Sequence, residues 1–268
     1  MKTELQQTLS EAIAGRNGSA FNISNCRPLG GGCINEAWLV GDGETSYFVK
    51  FSSSADLTMF EAEATALEEL AATNTIKVPQ PITRGTACEQ CYLVLEALPF
   101  GSAKSGNWET MGQQIARLHR NTAEHFGWDR DNVIGSTPQQ NEWTKSWTEF
   151  FRERRLRPQF ELARQNGFTF AEVDQFLESV DELLADHEPK ASLLHGDLWF
   201  GNAGFLEDGT PVIYDPATYY GDRETDLAFS EFFGGFPPAF YRAYEDVWPL
   251  ASGYAHRKQL YNLYHVLN

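Results

Sequence analysis

The sequence predicts an α+β protein of two lobes, a small antiparallel sheet with one main helix followed by a larger, mostly helical part. Three observations carry this reading. Between residues 22 and 51 three short β-rich runs are separated by glycine-rich turns, whereas beyond about residue 107 the apolar residues recur at helical spacing. The stretch "PFGSAKSGN", residues 99–107, is rich in glycine, serine and proline and separates the two regimes, which sets the lobes at 1–98 and 99–268. A chain of 268 residues with 42% hydrophobic content can bury the core that both lobes need.

Each element follows from its residues. "MKTELQQTLSEAIAG" places apolar residues at helical spacing and lacks the unbroken apolar run of a signal peptide. "ISNCRPL" and "NEAWLV" read as two strands of a hairpin closed by "GGG", and "SYFVKF" pairs back after the turn "GDGE". "LTMFEAEATALEELAATN" reads as a helix that stops before the prolines of "KVPQPI". "QCYLVLEAL" is a dense apolar strand. Helical patterns then cover 108–120, 142–165 and 170–186, a short β-rich interval covers 191–215, and helix resumes from about 224.

Bulk properties exclude several functions. A net charge of −16 is wrong for a nucleic-acid binder, which needs a basic face to release phosphate counterions. It leaves a nucleotide ligand open, because a lysine and a divalent metal neutralise phosphates locally. No apolar run reaches the length of a membrane span, so a cytoplasmic protein with no membrane partner is expected. The four cysteines are too few for a disulfide scaffold, and the lone "CEQC" at 88–91 lacks the second pair of a structural zinc site, so free thiols are expected.

Candidate chemistry lies in three places. The glycines Gly30, Gly31 and Gly32 between two strands offer bare backbone N–H groups to phosphate oxygens, or form a turn and nothing more. Lys50 sits centrally in the apolar strand "YFVKF", where its charge needs an acidic partner. Glu63 shares a helix face with Phe60, Leu67 and Leu70, whereas Glu61 lies with Thr65 and Glu68 on a solvated side, so Glu63 is the expected partner. In "LLHGDLWFGN", Asp197 and Asn202 are held by apolar flanks, and "AGFLEDGTPVIYD" follows. If Asp208 and Gly209 alone form the turn, Asn202 faces Asp215 across a hairpin. A carboxylate and an amide oxygen with open positions suit Mg²⁺ on nucleotide phosphates.

The Asp-x-x-x-x-Asn spacing followed by Asp215 resembles the catalytic and metal-binding elements of protein-kinase-like phosphotransferases. "HGDLWFGN" has the form of the aminoglycoside and choline kinase branch, which carries His-Gly-Asp. More narrowly, "GGGCINEA", "FVKF", "MFEAEATALEEL", "NEWTKSWTEFF", "IYDPATYYGDRETDLA" and "FGGFPPAFYRAY" are similar to the fructosamine kinase (ketosamine-3-kinase) family over residues 30–244. The resemblance implies a bilobal protein-kinase-like fold and an ATP- and Mg²⁺-dependent kinase of ketosamines, free or on glycated proteins. The acceptor would be the 3-hydroxyl, and the unstable 3-phosphate would release the amine. Asp197 would be the catalytic base, Asn202 and Asp215 the Mg²⁺ ligands, and Lys50 with Glu63 the orienting pair for the phosphates. Glu96, Ala97 and Leu98 would form the adenine hinge.

Trp199, which could stack on the sugar or contact the ammonium through its π face, and Tyr219, Asp222 and Glu224, which could receive hydroxyls or the cation, are substrate candidates. Asp226 is expected to brace the catalytic loop. Cys33, after the glycines and beside N–H groups that favour a thiolate, is a candidate redox switch through Cys26 or through Cys33 of a second subunit, in a monomer or homodimer. Asn35 stands where protein kinases carry the last loop glycine, as is usual in the family resembled. An aminoglycoside- or choline-type kinase is the alternative, disfavoured by "NEW" and "FGGFPPAFY". A pseudokinase sensor would lack at least one of Lys50, Asp197, Asn202 and Asp215, and all are present.

Overall fold

A computed structural model describes residues 1–30, 36–52 and 57–268, so Gly31, Gly32 and Cys33, expected at the phosphates and as a redox switch, lie outside the described residues. The chain divides into two compact units. The first comprises Met1–Ala72 and Val78–Phe100, the second Thr73–Lys77 and Gly101–Asn268.

The first unit is an antiparallel five-stranded sheet with order β1-β2-β3-β5-β4, where β1 is Asn25–Leu29, β2 Glu36–Gly41, β3 Ser46–Ser52, β4 Pro81–Ala87 and β5 Gln90–Glu96. Strand β4 was not expected, because its two leading prolines read as a helix stop and its "TRGT" centre is polar. It is an edge strand, the place where proline is tolerated. Residues Tyr47, Val49 and Phe51 alternate onto one face of β3 and join Leu5, Leu9 and Ile13 of helix α1 (Thr3–Asn17) in one core. Lys50 therefore points to the opposite face, toward helix α2 (Thr58–Ala72). The CEQC segment is a two-residue hairpin turn, with Cys88 at φ 50° and Glu89 at φ 63°. Cys88 is exposed and Cys91 buried, and none of Cys26, Cys88 and Cys91 is in a disulfide.

The second unit is mostly helical. Helix α3 (Asn107–Leu118) packs on α8 (Pro238–Val247) so closely that a Cβ on Gly112 would lie 2.2 Å from the Phe240 carbonyl oxygen. Helix α4 (Trp147–Phe151) continues through a π-helical turn, Arg152–Leu156, into α5 (Arg157–Gln165), and α6 (Val173–Leu183) follows. Helix α7 (Glu224–Ser230) is buried along its whole length, and α9 (Tyr254–Leu267) packs on it. Strand β6 (Ala191–Leu193) pairs with Tyr220–Gly221 and Thr122–Ala123, and β7 (Ala203–Leu206) forms a hairpin with β8 (Pro211–Ile213). Residues 73–77 belong here rather than with the first lobe, because the Lys77 carbonyl accepts the Ile213 N–H at 3.1 Å.

Candidate active site

In the first unit Lys50 is 7% exposed, and its ammonium donates to Glu63 Oε1 at 2.6 Å. The helix-face argument thus selected the right glutamate. A β3 lysine held by an α2 carboxylate is fixed in direction. Gly30 is exposed, and nothing lies within 4 Å of the place a Cβ would take. Glu96 closes β5, its N–H donating to the Gln80 carbonyl at 2.9 Å, and Ala97 and the half-buried Leu98 follow it.

In the second unit the loop after β6 is built from four bonds. The N–H groups of His195 and Gly196 donate to Asp226 Oδ2 and Oδ1 at 2.8 and 2.9 Å. His195 Nε2–H donates to the Tyr214 carbonyl at 3.0 Å, which leaves Nδ1 to accept the Asp197 N–H at 3.3 Å. Burial lowers the His195 pKa, so this neutral tautomer is the one present. Gly196 has φ +82°, and a Cβ there would lie 2.0 Å from the Ala217 oxygen, so only glycine fits after the histidine.

Asp197 is thereby projected from a fixed loop. Asn202 Nδ2 donates to its Oδ2 at 2.7 Å and to its carbonyl at 2.9 Å. Burial pushes the Asp197 carboxyl up to about 7. The Asn202 bond opposes this, and the Asp215 and Asp226 charges add to it. Asp226 behaves oppositely. Its burial would raise it, but the bond and charge of His119, the nearby His195 and the Gly196 N–H together hold it below the ordinary range. Asp226 braces the loop, as expected from its place in the sequence.

The hairpin register corrects one expectation. Ala203 pairs with Ile213 and Phe205 with Pro211, so Asn202 lies opposite Tyr214, whose N–H donates to the Asn202 carbonyl at 3.0 Å, and not opposite Asp215. The loop holds three residues, Glu207–Gly209, with Gly209 at φ +95° donating to the Leu206 carbonyl and Asp208 Oδ1 capping the Thr210 N–H. That is the bulged three-residue hairpin, and its extra residue slips the register by one. Asp215 lies just beyond β8 at φ 57°, a left-handed conformation that aspartate tolerates better than most residues. Its charge acts on Asp197 from there.

The donor set fits a hard divalent cation. Two carboxylates, Asp197 and Asp215, repel one another, and the Asn202 amide nitrogen is committed to Asp197, which leaves its oxygen as the further donor atom. A cation relieves that repulsion, and oxygen donors are what Mg²⁺ takes.

Three of the substrate candidates are corrected by their burial. Tyr219 is 3% exposed, with the Arg155 guanidinium 4.1 Å from its ring centroid and Phe150 stacked at 5.7 Å. Asp222 accepts from the Tyr261 hydroxyl at 2.6 Å and pairs with His187 at 2.7 Å. Glu224 takes a two-pronged bond from Arg257 at 2.7 and 2.9 Å. These groups already have partners inside the fold and hold the α7 segment in place. Trp199 alone of the four remains half-exposed beside Asp197.

Sequence reasoning missed the second layer. His119, fully buried at the end of α3, links Asp226 Oδ2 at 3.1 Å to the Tyr244 hydroxyl at 2.8 Å, and Arg223 donates to that hydroxyl at 3.0 Å. Arg155, in the π-turn and fully buried, donates to Asn141 Oδ1 at 2.6 Å. The available signals were "LHR" at a helix end and the asparagine of "NEW", neither of which names its partner.

A family model described as fructosamine kinase matches residues 5–268. A protein named "Probable ketoamine kinase" in Synechocystis sp. is 49% identical over 263 residues, covering 98% of this chain and 89% of that one. The crystal structure of a "Putative fructosamine-3-kinase" from Haemophilus somnus superposes with a TM-score of 0.93 at 37% identity, covering 97% of this chain and 88% of that one. Aminoglycoside phosphotransferase APH(4)-Ia shares the fold, with a TM-score of 0.64 at 15% identity, over 99% of this chain and 89% of its own.

Proposed function

The chain belongs to the fructosamine kinase family, and from that premise we propose that it transfers the γ-phosphoryl group of ATP to the 3-hydroxyl of ketosamines, so that the amine is subsequently released. The observation that carries the reading is the Asp197 carboxylate, held by Asn202 on a loop strapped to Asp226. Asp197 accepts the proton of the attacking hydroxyl, and a carboxyl raised toward neutrality by burial is better matched to that task than an exposed one. Asn202 keeps the carboxylate aimed. In this reading Lys50, oriented by Glu63, neutralises the α and β phosphates. Backbone groups of Glu96, Ala97 and Leu98 receive adenine, and the glycines from Gly30 onward cover the phosphates. Mg²⁺ supplies charge neutralisation on the transferring phosphoryl group, and Asn202 and Asp215 are the residues that would hold it. Trp199 offers its indole face to the sugar or to the secondary ammonium.

The overall negative charge of −16 favours a cationic acceptor of this kind. Among the described residues no helix is long and apolar enough to cross a membrane. The deciding experiment is incubation with Mg-ATP and a panel of fructose-, ribulose- and erythrulose-amines. ADP release that depends on the ketosamine, with a phosphate at the 3-position by NMR, is the expected outcome. Turnover with aminoglycosides and none with any ketosamine would sink the reading.

A further inference from the structure

Beside the Asp197 segment, the second unit exposes rings that no part of the mechanism above uses. Phe232 is 40% and Phe233 59% exposed. The Phe233 ring lies 5.2 Å from the Trp199 indole, and Phe232 stands edge-on to Phe233 at 4.9 Å. Phe229 contacts both and is itself stacked flat on His265 at 3.5 Å. Trp199 is two residues from Asp197 in the chain. The rings therefore form a ledge that starts at the base and runs outward to solvent. Gly234 and Gly235, at φ +91° and +74°, turn the chain directly after it. Rings fixed by other rings lose little freedom when a ligand covers them, and a contiguous exposed aromatic patch marks a binding surface.

The ledge is also uncharged. Glu231, the one acid in 228–240, is engaged by the Tyr254 hydroxyl at 2.6 Å and the Lys258 ammonium at 2.7 Å. Burial holds His265 neutral, with its pKa lowered to about 3. A glycated lysine within a protein would bring peptide groups whose hydrogen bonds such a surface cannot replace. An apolar ring would lose nothing by leaving water here and would gain stacking.

We propose that the Trp199–Phe233–Phe232 ledge binds the amine-derived half of a small ketosamine and selects apolar, above all aromatic, amine substituents over protein-borne lysine. This rests on the ketosamine kinase reading. The two are separated by steady-state kinetics on adducts of one sugar with benzylamine, with ethylamine and with a lysine of an unfolded protein. The parent should show its lowest KM with the benzylamine adduct. Phe233→Ala should raise that KM about five- to tenfold, the worth of one good aromatic contact, and leave kcat and the ethylamine KM within about twofold. Phe233→Tyr, which keeps the ring, should behave as the parent. Phe168→Ala, which removes an exposed ring on the α5–α6 connection, should change nothing. The ledge assignment is overturned if the parent does not distinguish the adducts, or if Phe233→Ala weakens the ethylamine adduct equally. Failure of the parent to phosphorylate any of the three would instead overturn the kinase reading itself, and the ledge assignment with it.

Discussion

Lys50 and Asp197 are both charged groups drawn away from water, but the two units hold them by different means. In the first unit the pairing is local: Lys50 on β3 meets Glu63 on α2, thirteen residues along the chain. In the second, Asp226 gathers donors from His195 and Gly196, 31 and 30 residues away, and from His119, 107 residues away. A carboxylate with three buried donors cannot release one without stranding it, so the loop that carries Asp197 is rigid. The contrast is between a local pairing and a network whose donors come from distant parts of the chain.

The largest effect should fall on the base itself. Asp197→Asn removes the proton acceptor while keeping its shape, and turnover should drop by about two to four orders of magnitude with ATP affinity nearly unchanged. Near-parental turnover would remove Asp197 from its role. Asp215→Ala should abolish the Mg²⁺-dependent part of nucleotide binding in calorimetry, because it strips a charged oxygen ligand.

Asp226→Asn sharpens the comparison from the structural side. An amide turned toward either backbone N–H sets donor against donor, and His119 loses its charged partner. Urea unfolding should show a loss of about 3 kcal/mol, the cost of breaking a buried charged network. A loss below about 1 kcal/mol would mean the loop is held by the apolar flanks Leu193 and Leu194 instead.

Glu63→Gln tests the local half. The ATP KM should rise about tenfold, as expected for losing one charged hydrogen bond, with little change in melting temperature. Glu61→Gln should change KM less than twofold, since Glu61 bonds through its backbone, its carbonyl accepting the Thr65 hydroxyl and its N–H donating to the Leu57 carbonyl. Equal effects from the two variants would erase the distinction between the helix faces.

The same contrast explains what could be read in advance. Lys50–Glu63 was legible because strand alternation and helix periodicity are local and both constrain the pair. Strand β3, helix α2 and the helical second unit were legible for the same reason. The hairpin register was misjudged by one residue: Asp-Gly signals a turn, and whether two or three residues form it depends on Gly209 taking φ +95° within a bulge. That Tyr219, Asp222 and Glu224 are buried among partners was not legible, because polar residues near a site look alike in sequence. Only the fold shows that Arg155, Tyr261 and Arg257 already occupy them. His119 was invisible because its partners Asp226 and Tyr244 are 107 and 125 residues distant.

The smallest predicted effect isolates the substrate side from both supports. Gly201 has no need of glycine through its own φ, which lies outside the left-handed region. It is needed because the Trp199 indole lies across it: a Cβ there would stand 2.4 Å from two ring carbons. Gly201→Ala therefore cannot be accommodated without moving the indole, while Asn202 keeps its own bonds to Asp197. If Trp199 contacts the sugar or its ammonium, displacing the ring by about an ångström should raise the ketosamine KM about three- to fivefold, within the range of an exposed cation–π contact. ATP binding and the melting temperature should hardly move. Trp199→Ala should reproduce the KM change, and in its background Gly201→Ala should add nothing, because the two act through one ring. Additive effects would show that Gly201 works through Asn202 and the base instead, which would shift the small effect into the rigid half of the comparison.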